Sequence, residues 1–371
     1  MRASLSVDLV VVGAGIVGLA HAIEAVGHGM SVAIVERDDR PVGASIRNFG
    51  HICVTAQSGR ALQYAEVARR RWLELSSLAG FKASQTGTVV VARAADEMAV
   101  LEELSIRRGD GVDLLDLAGV RARLPRLGDG VVGGAFLAAD LRVEPSETVP
   151  RLLAWLADEP RVTLQLATNV QSVETRAVHT SRGSLAADRI VVCVNHDVDR
   201  LYPEVAAAAG MRRCQLHMLE VEPAQPAAYE PGVLTGTSLL RYSAFADCPS
   251  SAALRERIER EHPQLLEAGV NLMFTQRPDG AVTLGDTHHY GTTLDPWRPE
   301  ALDELLLSEG RQLLGSELAV RTRWRGVYAS APGEYLVATP SDGVRVVSVT
   351  AGIGMTTAFG LAGEVVGDLS G

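Results

Sequence analysis

The sequence predicts an α/β protein in which a Rossmann-type dinucleotide-binding domain is interleaved with a second domain built on a mixed antiparallel β-sheet. Three patterns along the chain support this prediction. Residues 9–12 are an apolar run that leads directly into the glycine-rich turn 13–18. Longer strand-like segments follow Cys214 and give the middle of the chain a different texture. The apolar segment 344–349 and a second glycine-rich turn, 351–356, then return to the first pattern.

The opening segment has the pattern of a βαβ unit. Residues 9–12 are typical of a buried parallel strand, and a helix follows at once from Ile16. Gly27 and Gly29 end this helix, and residues 32–36 form the second strand. The unit has the length expected of a dinucleotide-binding motif.

Changes of pattern divide the chain into alternating pieces. The nucleotide-binding domain is predicted to comprise residues 1–82, 140–214 and 322–371, and the substrate-binding domain residues 83–139 and 215–321. Periodicity also predicts helices over 64–79, 145–158 and 358–369, and a β-hairpin with its turn at 278–280.

Length and charge limit the classes of function. A chain of 371 residues is too long for one ordinary core, and 47% hydrophobic with 22% charged residues is typical of a globular enzyme. The formal net charge of -10 argues against a nucleic acid partner, because binding to phosphates needs a basic surface. An anionic ligand must therefore be bound by local basic residues.

Cysteine usage and hydropathy indicate the cellular compartment. Cys53, Cys193, Cys214 and Cys248 form no CxxC pair and lack the spacing of metal ligands, so we predict reduced thiols and no metal site. The first residues lack the apolar core of a secretory signal, and no run of about eighteen apolar residues occurs. The sequence therefore predicts a cytoplasmic protein without a membrane span.

The glycine-rich turn predicts a dinucleotide site. Gly13, Gly15 and Gly18 satisfy GxGxxG between a strand and a helix, which is the context that the motif requires. The three glycines allow a tight turn, close approach of a pyrophosphate and close packing of the helix. The helix start, with Ile16 and Val17, offers unpaired N–H groups and the positive end of the helix dipole.

The first motif alone leaves NAD and FAD open. Glu36 ends the second strand and suits hydrogen bonds to the adenosine ribose, while it would repel a 2′-phosphate. The second turn, 351–356, opens the final helix and offers further backbone N–H groups. A long cofactor with a ribityl chain needs such a second cradle, so the two turns together favour FAD.

These motifs resemble the D-amino-acid oxidase superfamily of flavoenzymes, which includes glycine oxidase and sarcosine oxidase. The resemblance spans the chain and rests on the first turn with Glu36 and Arg37, on 43–45 with Gly50, on 324–327 and on 352–356. It implies a GR2-like FAD-binding domain and a mixed sheet that covers the flavin. The implied cofactor contacts are Gly13, Gly15, Ile16, Val17, Gly18, Glu36, Arg37, Ala44, Ser45, Arg47, Asn48, Gly50, Val170, Gly352, Ile353, Gly354, Met355 and Thr356.

The resemblance also implies that FAD is held without a covalent bond. Relatives that attach the flavin use a cysteine in the C-terminal piece or a histidine in the loop after the second strand. Here no cysteine follows Cys248, and Arg47 aligns with that histidine.

One segment and one departure point to a finer assignment. Residues 43–51 look most like a subgroup associated with phosphonate breakdown and proposed to oxidise aminophosphonates. Amino-acid oxidases of the family usually clamp the substrate carboxylate with an arginine where this chain has Tyr328. Loss of that bidentate donor weakens the case for an ordinary α-amino acid.

Polar residues near the expected flavin ring are candidates for the substrate site. Arg47 is expected beside the ring, where a guanidinium can hold an anion, although a surface ion pair is the alternative. His51 can orient a ring carbonyl or relay a proton, or serve only the structure. Arg241 and Tyr242 form a further candidate pair for an anion.

A second group of candidates follows the strand 281–285. His288 and His289 are adjacent, so in a strand they point to opposite faces and only one of them reaches a given pocket. A metal site is therefore not expected. One imidazole with Tyr290 can bind a polar head group, and hairpin structure alone is the alternative.

The combined prediction is an FAD-dependent oxidoreductase acting on the C–N bond of a small anionic amine, in particular an aminophosphonate. The α-carbon gives a hydride to the flavin, and water hydrolyses the resulting imine to aldehyde and ammonia. Oxygen or another acceptor then takes the electrons, and a homo-oligomer is compatible with the sequence. The alternatives are a generic oxidase or dehydrogenase of glycine, sarcosine or D-amino acids, a flavin hydroxylase, and a non-catalytic flavin-binding subunit.

Overall fold

A parallel sheet forms the centre of the first layer in the computed structural model, which describes residues 6–297 and 299–370. Its strands are β1 (Ser6–Val12), β2 (Val32–Val35), β8 (Val162–Gln165), β9 (Val170–Glu174), β10 (Ala177–Thr180), β11 (Gly183–Val192), β18 (Tyr335–Ala338) and β19 (Val344–Val349). The order is β18-β19-β11-β1-β2-β8, and β10 pairs with β11 and β9. Strand β1 lies parallel to both neighbours, with Val10 opposite Ala33 and Ile190.

Helices cover this sheet because both of its faces are apolar. They are α1 (Ile16–Gly27), α2 (Gly59–Leu78), α5 (Pro145–Ala157) and α13 (Gly354–Ser370), with the short α6 (Val198–Leu201) and α7 (Pro203–Ala208). Helix α13 packs against α1 and α2. Contact with α2 is close at Gly360, where any Cβ atom would overlap the backbone of Tyr64.

The second large sheet is mixed and mainly antiparallel. Its strands are β4 (Thr88–Ala92), β5 (Asp113–Asp116), β6 (Gly133–Leu137), β12 (Arg212–Pro223), β13 (Gly232–Leu234), β14 (Met273–Gln276), β15 (Val282–Gly285), β16 (His289–Gly291) and β17 (Leu318–Ser330). The order is β16-β12-β15-β14-β13-β4-β6-β5, and β17 pairs with β12 from Arg212 opposite Ser330 to Pro223 opposite Leu318.

The remaining helices pack around the second sheet. They are α3 (Ala95–Arg108), α4 (Leu117–Arg123), α8 (Gly236–Leu239), α9 (Ser243–Ala246), α10 (Ser251–Glu261), α11 (Pro263–Glu267) and α12 (Glu300–Leu314). A small third sheet joins β3 (His51–Ile52) to β7 (Leu141–Arg142). Within the described part of the chain, no helix is both long and apolar enough to cross a membrane.

The predicted fold class is confirmed, with differences at particular boundaries. Helix α13 begins at Gly354 rather than at 358, and α2 begins at Gly59 rather than at 64. Strand β17 lies wholly in the second sheet, so residues 322–330 of the predicted nucleotide-binding piece belong to the other layer. The long antiparallel pairing with β12 is the reason. The exact division into domains and the cytoplasmic location stay predictions, and residues 1–5 of the first piece lie outside the described residues.

We expect the Trp72 side chain to stabilise the junction between α2 and the start of α13. Its indole N–H donates to the Met355 carbonyl at 2.8 Å, and its ring lies edge-on to Phe359 at 5.1 Å. Trp72→Ala should lower the free energy of unfolding by about 3–5 kcal/mol, and Trp72→Phe by about 1–3 kcal/mol through loss of the buried donor. Urea denaturation measures both, with Trp297→Phe, at a residue that is 78% exposed, as the control. A Trp72→Phe protein as stable as the control would contradict this role.

Candidate functional site

A cavity of about 700 Å³ lies where the two large sheets meet. Val12 and Val35, the last residues of β1 and β2, line it, so it opens at the carboxyl ends of the parallel strands. Ligands of open α/β sheets bind at this edge. Arg241, Asp286 and Tyr328 line it from the second domain.

The first glycine-rich turn has a geometry that only glycine permits. Gly13 has φ of +101°, and a Cβ atom there would lie 2.5 Å from the carbonyl oxygen of Cys193. A Cβ atom on Gly18 would overlap the Gly13 carbonyl oxygen. Gly15 lines the cavity at the N-cap of α1. The backbone therefore approaches the cavity without side chains in between, as a bound pyrophosphate requires.

Two side chains fix the cavity wall around this turn. The Ser45 hydroxyl accepts a hydrogen bond from the Ile16 N–H at 2.8 Å, which joins the loop after β2 to the start of α1. The Glu36 carboxylate accepts from the N–H groups of Ala14 at 2.8 Å and Asp38 at 3.1 Å. Glu36 is thus held at the cavity by two backbone donors, in the position that ribose recognition needs.

The second glycine-rich turn lies at the same cavity. Gly352 has φ of +74°, and α13 begins two residues later at Gly354. The Thr356 hydroxyl accepts from the Cys53 N–H at 3.2 Å, which ties the helix start to the loop after β3. Two helix N-termini therefore face one elongated cavity, and this arrangement fits FAD, which carries a pyrophosphate at one end and a ribityl chain and ring at the other.

Most of the predicted cofactor residues line the cavity. They are Gly13, Gly15, Ile16, Val17, Glu36, Arg37, Ala44, Ser45, Arg47, Asn48, Val170, Gly352, Ile353, Gly354, Met355 and Thr356. Gly18 and Gly50 are not in its lining. Gly50 has φ of +67° and a Cβ atom there would overlap the Val143 carbonyl oxygen, so its place in the motif is explained by backbone packing against the segment after β7.

Arg241 is the basic group at the other part of the cavity. It follows α8, whose start is fixed by a capping box between Thr235 and Ser238. Its Nη2 donates to the Tyr328 hydroxyl at 2.7 Å, and its Nη1 lies 3.5 Å from the Tyr290 hydroxyl. Burial lowers the pKa of Arg241, but Tyr328, Tyr290 and Asp286 shift it upward by more, so the guanidinium stays charged.

Asp286 and His288 add two buried titratable groups beside Arg241. Asp286 is 4% exposed, and its Oδ1 has no hydrogen-bond partner among the described residues. Burial raises the pKa of Asp286 to about 7, although Arg241 and Asn271 act in the opposite direction. Burial, assisted by the charge of Arg241, holds the pKa of His288 well below its usual range, so this imidazole is neutral. Its Nδ1 lies 2.8 Å from the Gly269 carbonyl oxygen, which it meets as a donor.

The sequence analysis placed some candidates that the structure does not bring to the cavity. His289 is exposed in β16, opposite Gln215, and is absent from the cavity lining, because successive side chains of a strand point to opposite faces. Tyr290 is 39% exposed and meets the site only through Arg241. Arg47 borders the cavity, but it is exposed and its Nη1 donates to the Arg325 carbonyl at 3.3 Å.

His51 lies in a buried polar cluster at the cavity wall. Its Nε2 is 2.5 Å from the Thr88 hydroxyl and 3.4 Å from Asp140 Oδ2, and its Nδ1 lacks a hydrogen-bond partner in the described chain. Ligand atoms of His51, Cys53 and Asp140 lie within 4.8 Å of one another, a donor set that sequence spacing did not indicate. Burial and the nearby Asp140 raise the pKa of the Cys53 thiol well above its usual range, so the cysteine is protonated.

Tyr242 lines the cavity next to Arg241, as the sequence pattern suggested. Asp286 was missed as a functional residue. Its position directly after β15 is the available signal, because chemical groups often follow the end of a buried strand. Nothing in the sequence indicates that Arg241 and Tyr328 meet, since they are 87 residues apart.

Comparison with known proteins gives a consistent result. The model of a family described as FAD dependent oxidoreductase matches residues 8–369. A subunit of the opine oxidase of Agrobacterium tumefaciens (strain Ach5) is 26% identical over 298 residues, which are 71% of this chain and 80% of that protein.

The fold is similar to solved structures over nearly its whole length. Glycine oxidase from Geobacillus kaustophilus has a TM-score of 0.78 and 19% identity, covering 99% of this chain and 95% of that one. L-proline dehydrogenase from P. horikoshii has a TM-score of 0.79 and 17% identity, covering 98% and 94%. These likenesses concern the fold.

The open turn at Gly15 makes a specific prediction about cofactor loading. Gly15→Val should leave the purified protein without most of its FAD, because the side chain would occupy the space of the pyrophosphate. The ratio of flavin to protein absorbance after desalting measures this. Gly27→Ala, in the same helix and with no atom within 4 Å of the added Cβ, is the matched control. Equal flavin content in the two variants would exclude a pyrophosphate at this turn.

We also expect all FAD to be released by acid precipitation. Cys53, Cys193, Cys214 and Cys248 are buried, and the pKa of each thiol is raised above its usual value by burial, so none is a ready nucleophile. Flavin fluorescence of the supernatant, compared with the total measured after protease digestion, gives the released fraction. Yellow colour in the washed pellet would point to a covalent bond, for which His51 or Cys53 would be tested first.

Proposed function

This chain belongs to the family of FAD dependent oxidoreductases, and on that basis we propose that it takes a hydride from the amine-bearing carbon of a small anionic substrate bound by Arg241. FAD is the cofactor of the family, and when bound it supplies the hydride acceptor. The family prediction from the sequence is confirmed. The assignment to the phosphonate-associated subgroup stays a prediction.

The observation that supports the proposal is the position of the Arg241 guanidinium. It lines the cavity and lies next to the second glycine-rich turn, since a Cβ atom built on Gly352 would be 3.3 Å from Arg241 Nη2. The family resemblance places that turn along the ribityl chain and ring of the flavin. A cation at this point attracts an anionic substrate and orients it toward the cofactor.

Tyr328 stands where relatives usually have the arginine that binds a carboxylate, and Arg241 bonds to its hydroxyl at 2.7 Å. The guanidinium of this chain therefore comes from the connection between α8 and α9, and the tyrosine holds one of its nitrogen atoms. A fork with one nitrogen already occupied is less suited to the bidentate grip on a planar carboxylate. Hydroxyl groups of Tyr328 and Tyr290 lie around it as separate hydrogen-bonding groups.

This arrangement favours a tetrahedral anion, and an aminophosphonate is our finer proposal for the substrate. Arg47, which the sequence pattern favoured for part of the anion site, has no role in this proposal because its side chain is exposed. A generic amino acid is the alternative. The names of the similar proteins, glycine oxidase, L-proline dehydrogenase and an opine oxidase subunit, refer to carboxylate-bearing amines or enzymes that act on them, and so this alternative is part of the test.

The protein side chains have limited chemical tasks in this reaction. Arg241 binds and orients the anion, and the apolar part of the cavity excludes water from the reacting carbon. Loss of hydride from the carbon of a neutral amine leaves an iminium ion, which adds water and releases ammonium to give the aldehyde. Oxygen or another acceptor takes the two electrons afterwards. A homo-oligomer stays a prediction.

Anaerobic bleaching of the flavin absorbance tests the proposal directly. A small aminophosphonate, glycine, sarcosine and a D-amino acid are compared as reductants of the wild-type protein. Arg241→Ala should raise the half-saturating concentration of the true substrate at least tenfold, since loss of a charge partner in a buried site costs on the order of 2–5 kcal/mol. Arg47→Ala, which removes an exposed arginine at the edge of the same cavity, is the matched control and should change it less than threefold.

The outcomes separate the candidate functions. Faster reduction by the aminophosphonate supports the finer proposal, whereas equal rates with carboxylate substrates would make the protein a generic amino-acid oxidase or dehydrogenase. Reduction by NAD(P)H alone would indicate a flavin hydroxylase. A protein that dithionite bleaches but no amine does would be a flavin-binding subunit. Unchanged substrate affinity in Arg241→Ala would refute the assigned anion site.

A further inference from the structure

We infer that Asp286 is the proton acceptor of this site, which takes a proton from the substrate ammonium group before the hydride leaves. The inference rests on the proposed function, because it concerns the amine of the same substrate. An alkylammonium has no lone pair on nitrogen and cannot lose a hydride from its α-carbon until it is deprotonated. A side chain that removes this proton inside the cavity lets the enzyme bind the form of the amine that dominates near neutral pH.

The position of Asp286 supports this role. The residue lines the same cavity as Arg241 and Tyr328, and it is 4% exposed. Within the described residues, Asp286 Oδ1 has no hydrogen-bond partner. A buried carboxylate oxygen without a donor is costly, and it is normally explained by a missing partner. A substrate N–H group is a partner of the right kind.

The backbone holds Asp286 in place. Its N–H donates to the Asn271 carbonyl at 2.9 Å, and its own carbonyl accepts from the Asn271 N–H at 2.8 Å. Strands β14 and β15 are paired immediately beyond this point, with Met273 opposite Gly285. The carboxylate therefore projects from a paired and rigid part of the sheet, which is what a positioned base requires.

The groups around Asp286 leave it as the one expected to change charge near neutrality. Arg241 and Tyr242 face it from the α8–α9 connection, Cys214 from β12 and His288 from its own segment. Arg241 remains a cation, and burial keeps the pKa of Tyr242 far above neutrality and raises that of Cys214 to about 11. His288, whose Nδ1 is 3.7 Å from Asp286 Oδ1, stays neutral because burial lowers its pKa.

Arg241 and Asp286 together form a site for a zwitterion. The guanidinium binds the anion of the substrate and the carboxylate binds its ammonium group. The proton then moves from nitrogen to the Asp286 carboxylate, giving a neutral amine and a carboxylic acid. The α-carbon subsequently transfers hydride to the flavin, and the nitrogen lone pair forms the C=N bond of the iminium ion. Charge and electrons balance, and the acid returns its proton to water before the next turnover.

The pH dependence of flavin reduction tests the inference. In the wild type the rate constant of anaerobic reduction at low substrate should fall as the pH drops through about 7, because protonated Asp286 cannot accept a proton. Asp286→Asn should lose this limb. Its rate should instead rise about tenfold per pH unit toward the pKa of the free amine. At pH 7.5 it should be on the order of a hundredfold slower than wild type, because only about one part in a hundred to a thousand of an alkylamine is neutral there.

Asp303→Asn is the matched control, since Asp303 is also buried but belongs to α12 and is absent from the cavity lining. It should keep the wild-type pH profile. Asp286→Glu should keep an acid limb with a displaced midpoint, and it replaces the asparagine variant if that variant does not load FAD. A pH profile of Asp286→Asn that matches wild type, or an undisplaced limb in Asp286→Glu, would overturn the inference.

A second readout does not depend on turnover. A carboxyl whose folded pKa lies above its unfolded value favours the folded state at low pH, and this advantage is lost as the pH rises through the folded pKa. The melting temperature of the wild type should therefore fall relative to Asp286→Asn between pH 5 and pH 8, with or without FAD. A constant difference would show that Asp286 does not titrate there. Failure of every amine to bleach the wild-type flavin would remove the proposed function, which this stability measurement distinguishes from failure of the Asp286 assignment.

Discussion

The close approach between the start of α1 and the edge of the first sheet is the constraint on which the site depends. Gly13 and Gly18 allow it, because a side chain at either position would collide with backbone. With the helix start this close, the Ser45 hydroxyl reaches the Ile16 N–H and fixes the loop after β2 against the cavity. That loop continues to Gly50, which passes tightly beside the segment after β7, and on to His51 at the cavity wall.

The reacting part of the cavity combines opposite charges in a protein that is acidic as a whole. Arg241 is a permanent cation, and Asp286 is a carboxyl that burial brings near its titration point at neutral pH. Neither forms a close ion pair with the other in the described structure, where the nearest basic atom recorded for Asp286 is His288 Nδ1 at 3.7 Å. The two charges therefore remain available to a ligand that carries both signs, and the field between them selects its orientation.

Local sequence patterns predicted the cofactor end of the site well and the substrate end poorly. The glycine turns and Glu36 carry their meaning within a few residues, because backbone conformation and strand ends are local properties. The contact between Arg241 and Tyr328 joins segments 87 residues apart, and it depends on how β17 pairs with β12. Asp140 likewise reaches His51 only because β3 and β7 pair. Such meetings follow from topology, which residue spacing does not encode. For the same reason the exposed Arg47 and His289 were overvalued.

The position of α13 in the chain bears on how the protein is made. Strand β11 must pair with β1 across some 180 residues, as Val10 opposite Ile190 shows, and β19 then joins β11. The cradle at Gly352 to Thr356 comes after all of these strands in the chain, and its helix buries the Trp72 indole bond to Met355. A nascent polypeptide still on the ribosome therefore presents the first phosphate cradle long before the second exists. Cofactor capture is thus an event that follows translation, and until it occurs an unfilled hydrophobic cleft is what quality-control chaperones meet.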